Sequence, residues 1–190
     1  MIDRFKLLYD AGGIKDYFTQ NPNLTTEQID LLYDAGADKE NLARYSKLTN
    51  EQFMRFLNQR GFDKDYLALN PHLTPVQIDL LYQIEGLDKR DLARFTKLTN
   101  EQFMRFFNDD SFDKDYLAQN SHLTTEQIDL LYQIKDVDKD HLAANPKLTD
   151  EQFLRLFNDG FVDNDYLAPN PSINPPANKP FASGVFNWRW

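Results

Sequence analysis

Leu73-Thr74-Pro75-Val76-Gln77-Ile78-Asp79-Leu80-Leu81-Tyr82 returns along this chain in modified form, and its returns decide the fold. Copies begin at Leu24, Leu48, Leu73, Leu98, Leu123 and Leu148, so residues 24–172 are six tandem units of 24 or 25 residues. A fixed period of this length builds a stack in which each unit packs on its neighbours, not a globule around a central cleft. Setting Tyr9-Asp10-Ala11-Gly12 on Tyr33-Asp34-Ala35-Gly36, an offset of 24, adds a degenerate first copy and brings the count to about seven. A second rhythm overlies the first. Copies at Leu24, Leu73 and Leu123 (first type) contain Gln-Ile-Asp-Leu-Leu-Tyr, whereas those at Leu48, Leu98 and Leu148 (second type) contain Gln-Phe-(Met/Leu)-Arg-(Phe/Leu). The duplicated block is therefore a pair of about fifty residues.

Each unit opens with its own helix signals. Thr25, Thr49, Thr74, Thr99, Thr124 and Thr149 occupy N-cap positions, and a Gln follows each by three residues as the other half of a capping box. Pro75 falls at the first helical position, where its missing N–H has no intrahelical partner to lose. The Leu before each Thr and the Ile or Phe five positions on have the spacing of a hydrophobic staple. Ile29, Leu32 and Tyr33, like Phe53, Phe56 and Leu57, then continue at i, i+3, i+4, which makes that stripe the core face.

A shorter element follows in every unit. Asp38, Asp63, Asp88, Asp113, Asp138 and Asp163 read as further N-caps, with Leu42, Leu67, Leu92, Leu117, Leu142 and Leu167 four residues beyond. Asn70-Pro71, Asn145-Pro146 and Asn170-Pro171 stop it soon afterwards, since the residue before proline is pushed out of the α region. One or two turns, α or 3₁₀, are expected. Tyr45-Ser46 and Phe95-Thr96 lack the Asn-Pro pair, which predicts turns of a different geometry there.

Leu-Ala-x-Asn-Pro-x-Leu-Thr, at Leu67 to Thr74 and Leu142 to Thr149, resembles the leucine-rich repeat variant, a bacterial unit of about this length. The resemblance spans residues 1–172 and implies an α-helix alternating with a short 3₁₀ helix in a superhelical stack. It implies little about activity. No cysteine is present, so the cysteine cluster of that family's founding member, and with it any iron–sulfur site, does not carry over. The expected fold is all-α: a right-handed α-solenoid of about seven repeats over residues 1–172, followed by a Pro- and aromatic-rich arm or cap over 173–190.

Composition narrows the function. The 190 residues hold 41% hydrophobic side chains, and no run approaches the roughly 20 apolar residues of a membrane span. Ile2-Asp3-Arg4-Phe5-Lys6 is already amphipathic, so no secretory leader is expected and an intracellular or virion location is. A net charge of -9 opposes nucleic-acid binding, which requires Lys and Arg gathered on one face.

Candidate sites are few. Catalysis needs converging polar groups, whereas a solenoid spreads near-identical residues along its length, so no catalytic residue, metal site or cofactor is expected. His72, His122 and His141 read as turn or short-helix residues. Asp136-x-Asp138-x-Asp140 opens like a calcium loop, but His141 stands where Gly belongs, and the middle Asp is the recurrent cap. Asp30, Asp79 and Asp129 alternate with Arg55, Arg105 and Arg155 along stacked helices, predicting an acid–base ladder whose arginines are candidate partner contacts. Met54, Met104, Leu154, Leu31, Leu80 and Leu130 flank the core stripe and are expected to pack between repeats.

The repeat stops at Asn174-Pro175-Pro176-Ala177-Asn178-Lys179-Pro180, and both tryptophans lie beyond it. Phe181, Phe186, Trp188 and Trp190 on a Pro-stiffened arm have the composition of an interface anchor. The other reading is a cap over the open end of the last unit. The expected function is a non-enzymatic interaction or assembly scaffold for protein partners, such as a structural subunit of a phage virion. The alternative is an acidic mimic of nucleic acid that inhibits a DNA- or RNA-binding enzyme. That alternative needs carboxylates in rows at phosphate-like spacing, which Lys39, Lys64, Lys89, Lys114 and Lys139 would interrupt.

Overall fold

The structure, a computed structural model, describes residues 15–161. The degenerate copy up to Ile14, the last unit's short element with Asp163 and Leu167, and the arm 173–190 lie outside the described residues. Within them are twelve helices and no strand. Six long ones are Thr26–Asp34 (α2), Asn50–Leu57 (α4), Pro75–Tyr82 (α6), Asn100–Phe107 (α8), Thr125–Tyr132 (α10) and Asp150–Asn158 (α12). Six short ones alternate with them: Lys15–Phe18 (α1), Lys39–Tyr45 (α3), Asp65–Ala68 (α5), Lys89–Phe95 (α7), Asp115–Ala118 (α9) and Lys139–Ala143 (α11).

Every long helix begins at the predicted Thr with a complete capping box. The Thr backbone N–H donates to Gln Oε1 at 2.9–3.1 Å and the Gln N–H donates back to Thr Oγ1 at 3.2–3.4 Å. Two of the four orphan N–H groups in the first turn are thereby satisfied. Ile29 and Leu32, Phe53 and Phe56, Ile78 and Leu81, and their equivalents to Phe153 and Leu156 are buried, while Tyr33, Tyr82 and Tyr132 lie half-buried at the edge. Gly86, at φ +80°, lies in the turn between α6 and α7, in the left-handed region that glycine tolerates. The equivalent turn at Lys135-Asp136 has no glycine, and there the buried Lys139 ammonium donates to the carbonyls of Ile134 and, at 3.2 Å, Val137. Burial lowers the pKa of that ammonium, against the opposing pull of Asp115, Asp136 and Asp138.

The short elements are α-helical, not the 3₁₀ turns that the family resemblance implies: Ala68 N–H donates to Lys64 O at 3.3 Å and Leu69 N–H to Asp65 O at 3.1 Å. Asp38, Asp88 and Asp138 cap them as expected. Asp63 and Asp113 make the same bond as Asp88 and Asp138, accepting from the N–H two residues on at 3.0 Å, but α5 and α9 start one residue later and leave Lys64 and Lys114 at the cap position. The units that end at Tyr45-Ser46 and Phe95-Thr96 do differ, and the Asn, not the Pro, marks the distinction, since Asn120 is followed by Ser121. Helices α3 and α7 run seven residues to the extended caps Ser46 and Thr96, whereas the Asn-terminated α5, α9 and α11 stop after four or five.

The closest backbone approaches between units run along the short helices, α3 to α5, α5 to α7, α7 to α9 and α9 to α11. The stack is therefore narrower on that side, and the long helices form its wider, outer face. Buried Leu42, Leu67, Leu92, Leu117 and Leu142 fill the space between the two rows and join the long-helix residues in one continuous core. No helix among the described residues is long and apolar enough to cross a membrane.

Candidate partner-binding surface

Most of the polar side chains that recur in this chain are used to tie one unit to the next. The capping glutamines do double duty. Gln52 Nε2 donates to Thr26 O at 2.9 Å and Asp30 Oδ1 at 3.1 Å, Gln102 Nε2 to Pro75 O at 2.8 Å, and Gln152 Nε2 to Thr125 O at 2.9 Å. Gln77 and Gln127 reach Asn50 and Asn100 Oδ1 at 3.1 and 3.0 Å. Buried Asn70 donates to Ala43 O and Ser46 O at 2.6 and 2.8 Å, and Asn120 repeats this on Ala93 and Thr96. Asp16, Asp65 and Asp115 each accept the N–H of the next unit's capping Asp at 2.7–3.2 Å. Gln52, Gln77, Gln102, Gln127, Gln152, Asn70 and Asn120 are buried, which is tolerated because each meets a hydrogen-bond partner one unit away.

The predicted acid–base ladder takes the form of three rungs, one in each block of two units. Arg55 Nη1 lies 3.4 Å from Asp30 and its Nη2 pairs with Asp34, Arg105 lies 3.0 Å from Asp79, and Arg155 2.5 Å from Asp129. Each guanidinium also sits over the tyrosine of the preceding unit, with Cζ 3.9 Å from the Tyr33 centroid, 4.8 Å from Tyr82 and 3.9 Å from Tyr132. Lys39, Lys89 and Lys139 approach the same rings at 4.2, 4.4 and 5.9 Å. Tyr33 and Tyr82 rest edge-on against the core residues Phe56 and Phe106. Burial acts to raise the Asp129 carboxyl, but the bonds from Gln152 and Arg155 outweigh it and hold the pKa below its ordinary value. Arg55, Arg105 and Arg155 are thus engaged within the chain, in an Arg–Tyr–Lys clamp that closes each block.

With Arg105 33% and Asp79 41% exposed, the pair is screened by solvent. Arg105→Ala is therefore expected to cost about 1 kcal/mol, most of it lost in about 1 M salt, as measured by urea unfolding at two ionic strengths.

The aspartates and arginines of the clamp are legible in the sequence; its tyrosines and lysines are less so. Their signal is the fifty-residue rhythm: Tyr33, Tyr82 and Tyr132 stand where second-type units have Leu57, Phe107 and Phe157. The glutamines likewise read only as caps. Glu serves equally well in a capping box, so the recurrence of Gln is the mark of a second task, donation across units, which Gln52, Gln77, Gln102, Gln127 and Gln152 perform.

The flanking apolar residues divide. Met104 and Leu130 are partly buried against the core as expected, whereas Leu31, Met54, Leu80 and Leu154 are more than a third exposed. Val76, 61% exposed, joins them. Glu27, Glu51, Glu101, Glu126 and Glu151 are exposed in the first turns of five long helices. His72 and His122 lie in turns, donating backbone N–H to Asn70 and Asn120 Oδ1 at 2.8 Å. Asp138 of the calcium-like stretch is a helix cap, accepting from Asp140 N–H at 2.9 Å. Phe181, Phe186, Trp188 and Trp190 lie outside the described residues.

These features define a class, an all-α helical-repeat protein whose repeated polar groups bind unit to unit. Comparison with protein families, with curated proteins and with solved structures found no match.

Proposed function

We propose that this chain is a non-catalytic interaction or assembly scaffold, a leucine-rich-repeat-variant-like stack that engages protein partners as a structural subunit of a larger particle such as a virion. The observation that carries this reading is the division of labour on the surface. The recurrent polar groups that could serve chemistry are spent between repeats, while the outer face repeats an acidic and partly apolar pattern. The aromatic arm, Phe181, Phe186, Trp188 and Trp190, supplies the anchor, since buried aromatics dominate interface energetics.

The exposed glutamates favour a second reading, the nucleic-acid mimic, only weakly. Val76 breaks their row, which a mimic needs unbroken.

The test is gentle purification of the chain from its native source. It is expected to elute in a particle well above 22.3 kDa, and the variant with all four arm aromatics changed to Ala as the free chain with its helicity intact. A wild-type chain recovered alone overturns the proposal. Truncation after Ser172 separates anchor from cap: a large fall in melting temperature with the particle retained assigns the arm to capping.

A further inference from the structure

The outer face carries two kinds of groove. Between a first-type helix and the second-type helix after it the walls are polar, as where Thr26, Asp30 and Asp34 face Glu51, Gln52 and Arg55. Between a second-type helix and the following first-type helix they are apolar. Phe103 and Met104 face Leu130 around a pocket of about 170 Å³, with Asn100, Glu126 and Gln127 completing the lining. Fifty residues earlier the same positions hold Asn50, Phe53, Met54, Val76, Gln77 and Leu80, identical but for Val76 in place of Glu126. The chain thus repeats one apolar groove, once per block, and Met54, Val76 and Leu80 leave the earlier copy open to solvent. Two helix spacings separate the copies, about 16–20 Å. Glu51, Glu101 and Glu126 stand exposed in the first turns of the helices that form them.

An occupant of these grooves must be apolar and cationic. Residues 166–190 carry Lys179 and Arg189 and no Asp or Glu, so all 30 acids lie at or before Asp165. Five residues of extended chain, at about 3.3 Å each, would span about 17 Å, the separation of the two grooves; strict alternation would turn Phe181 and Phe186 to opposite faces, so the fit requires a bulge between them, which Gly184 is suited to supply. Pro175, Pro176 and Pro180 give the preceding stretch the composition of a stiff spacer, suited to reach past its own stack.

We infer that Phe181 and Phe186 of a second copy seat in the Met54–Leu80 and Met104–Leu130 grooves, with Lys179 and Arg189 against the glutamates. The contact joins two different surfaces, so it either propagates head to tail or closes where copies exchange segments reciprocally. It rests on the assembly reading above and names the chain itself as one partner.

Trp188 and Trp190 are the only tryptophans, so their emission reports this segment alone. The full chain should show faster sedimentation and blue-shifted emission at high concentration, both lost on dilution through the micromolar range. Val76→Lys with Leu80→Lys, at exposed positions, should weaken self-association at least about tenfold with unchanged circular dichroism, as should Phe181→Ala with Phe186→Ala. Each variant keeps one half of the contact. Mixed, they should form a one-to-one pair but no longer species. Blue-shifted emission independent of concentration would mean that the segment covers its own chain, and would overturn the inference. Self-association indifferent to the two lysines, or a monomer at every concentration, overturns it too. If that monomer is still recovered in a large particle from its source, only the contact falls; recovery alone removes the assembly reading as well.

Discussion

Changing Leu73, Ile78 and Leu81 together to Ala is expected to unfold the middle of the stack. All three are buried, Leu73 as the staple residue and Ile78 and Leu81 on the core stripe of α6. Each large-to-small change in a packed core costs about 2–5 kcal/mol. Even with allowance for coupling between neighbours, the sum is comparable to the roughly 5–15 kcal/mol that separates a folded domain from its unfolded chain. Units in a stack lean only on their neighbours, so the loss falls on the central unit and divides the array into two weaker blocks. Circular dichroism should show reduced helicity, and the thermal transition should broaden or split in two. A single sharp transition near the parent melting temperature would refute the core assignment.

The second expectation, Gln102→Glu, separates the two tasks of the capping glutamines. The side chain is 3% exposed; its Oε1 accepts from Thr99 N–H at 3.0 Å while its Nε2 donates to Pro75 O at 2.8 Å. Glutamate preserves the cap, since its carboxylate accepts the Thr99 N–H equally well. It cannot preserve the link between units, because an ionised oxygen would face a carbonyl oxygen in a buried site. The expected cost at pH 7 is about 2–4 kcal/mol, a fall in melting temperature of about 4–16 °C for a chain of this size. The pH dependence identifies the cause. Burial against a carbonyl raises the pKa of the introduced carboxyl in the folded state, so the folded form binds more protons and the variant loses stability as pH rises through the carboxylate range. Below about pH 4 the protonated acid donates to Pro75 O and the difference from the parent should shrink. A penalty that is absent, or flat from about pH 3 to 7, would show that Gln102 is no more than a cap.

Much of the architecture was legible because its determinants are local. Thr25 and its five equivalents are followed by Gln at a fixed spacing, and the i, i+3, i+4 stripe names Ile78, Leu81 and Tyr82 without reference to any distant residue. The same locality left the helix start open at Asp63 and Asp113, which accept from the N–H two residues on as Asp88 does but precede helices that start one residue later. For Leu31, Met54, Leu80 and Leu154 the pattern could not decide between packing and exposure, because that depends on the spacing of neighbouring helices.

The chain by itself determined the number of units, the two-unit block, where each long helix begins and which face of it is buried, since caps, staples and stripes act over five or six residues. Only the tertiary structure decided what the recurrent polar groups bind. Gln102 meets Pro75, Asn120 meets Ala93, and Arg105 meets both Asp79 and Tyr82, each across one full repeat. A hydrogen bond between residues about one repeat apart exists only once stacking has brought them within about 3 Å, and no local spacing encodes the distance or angle at which one unit settles on the next.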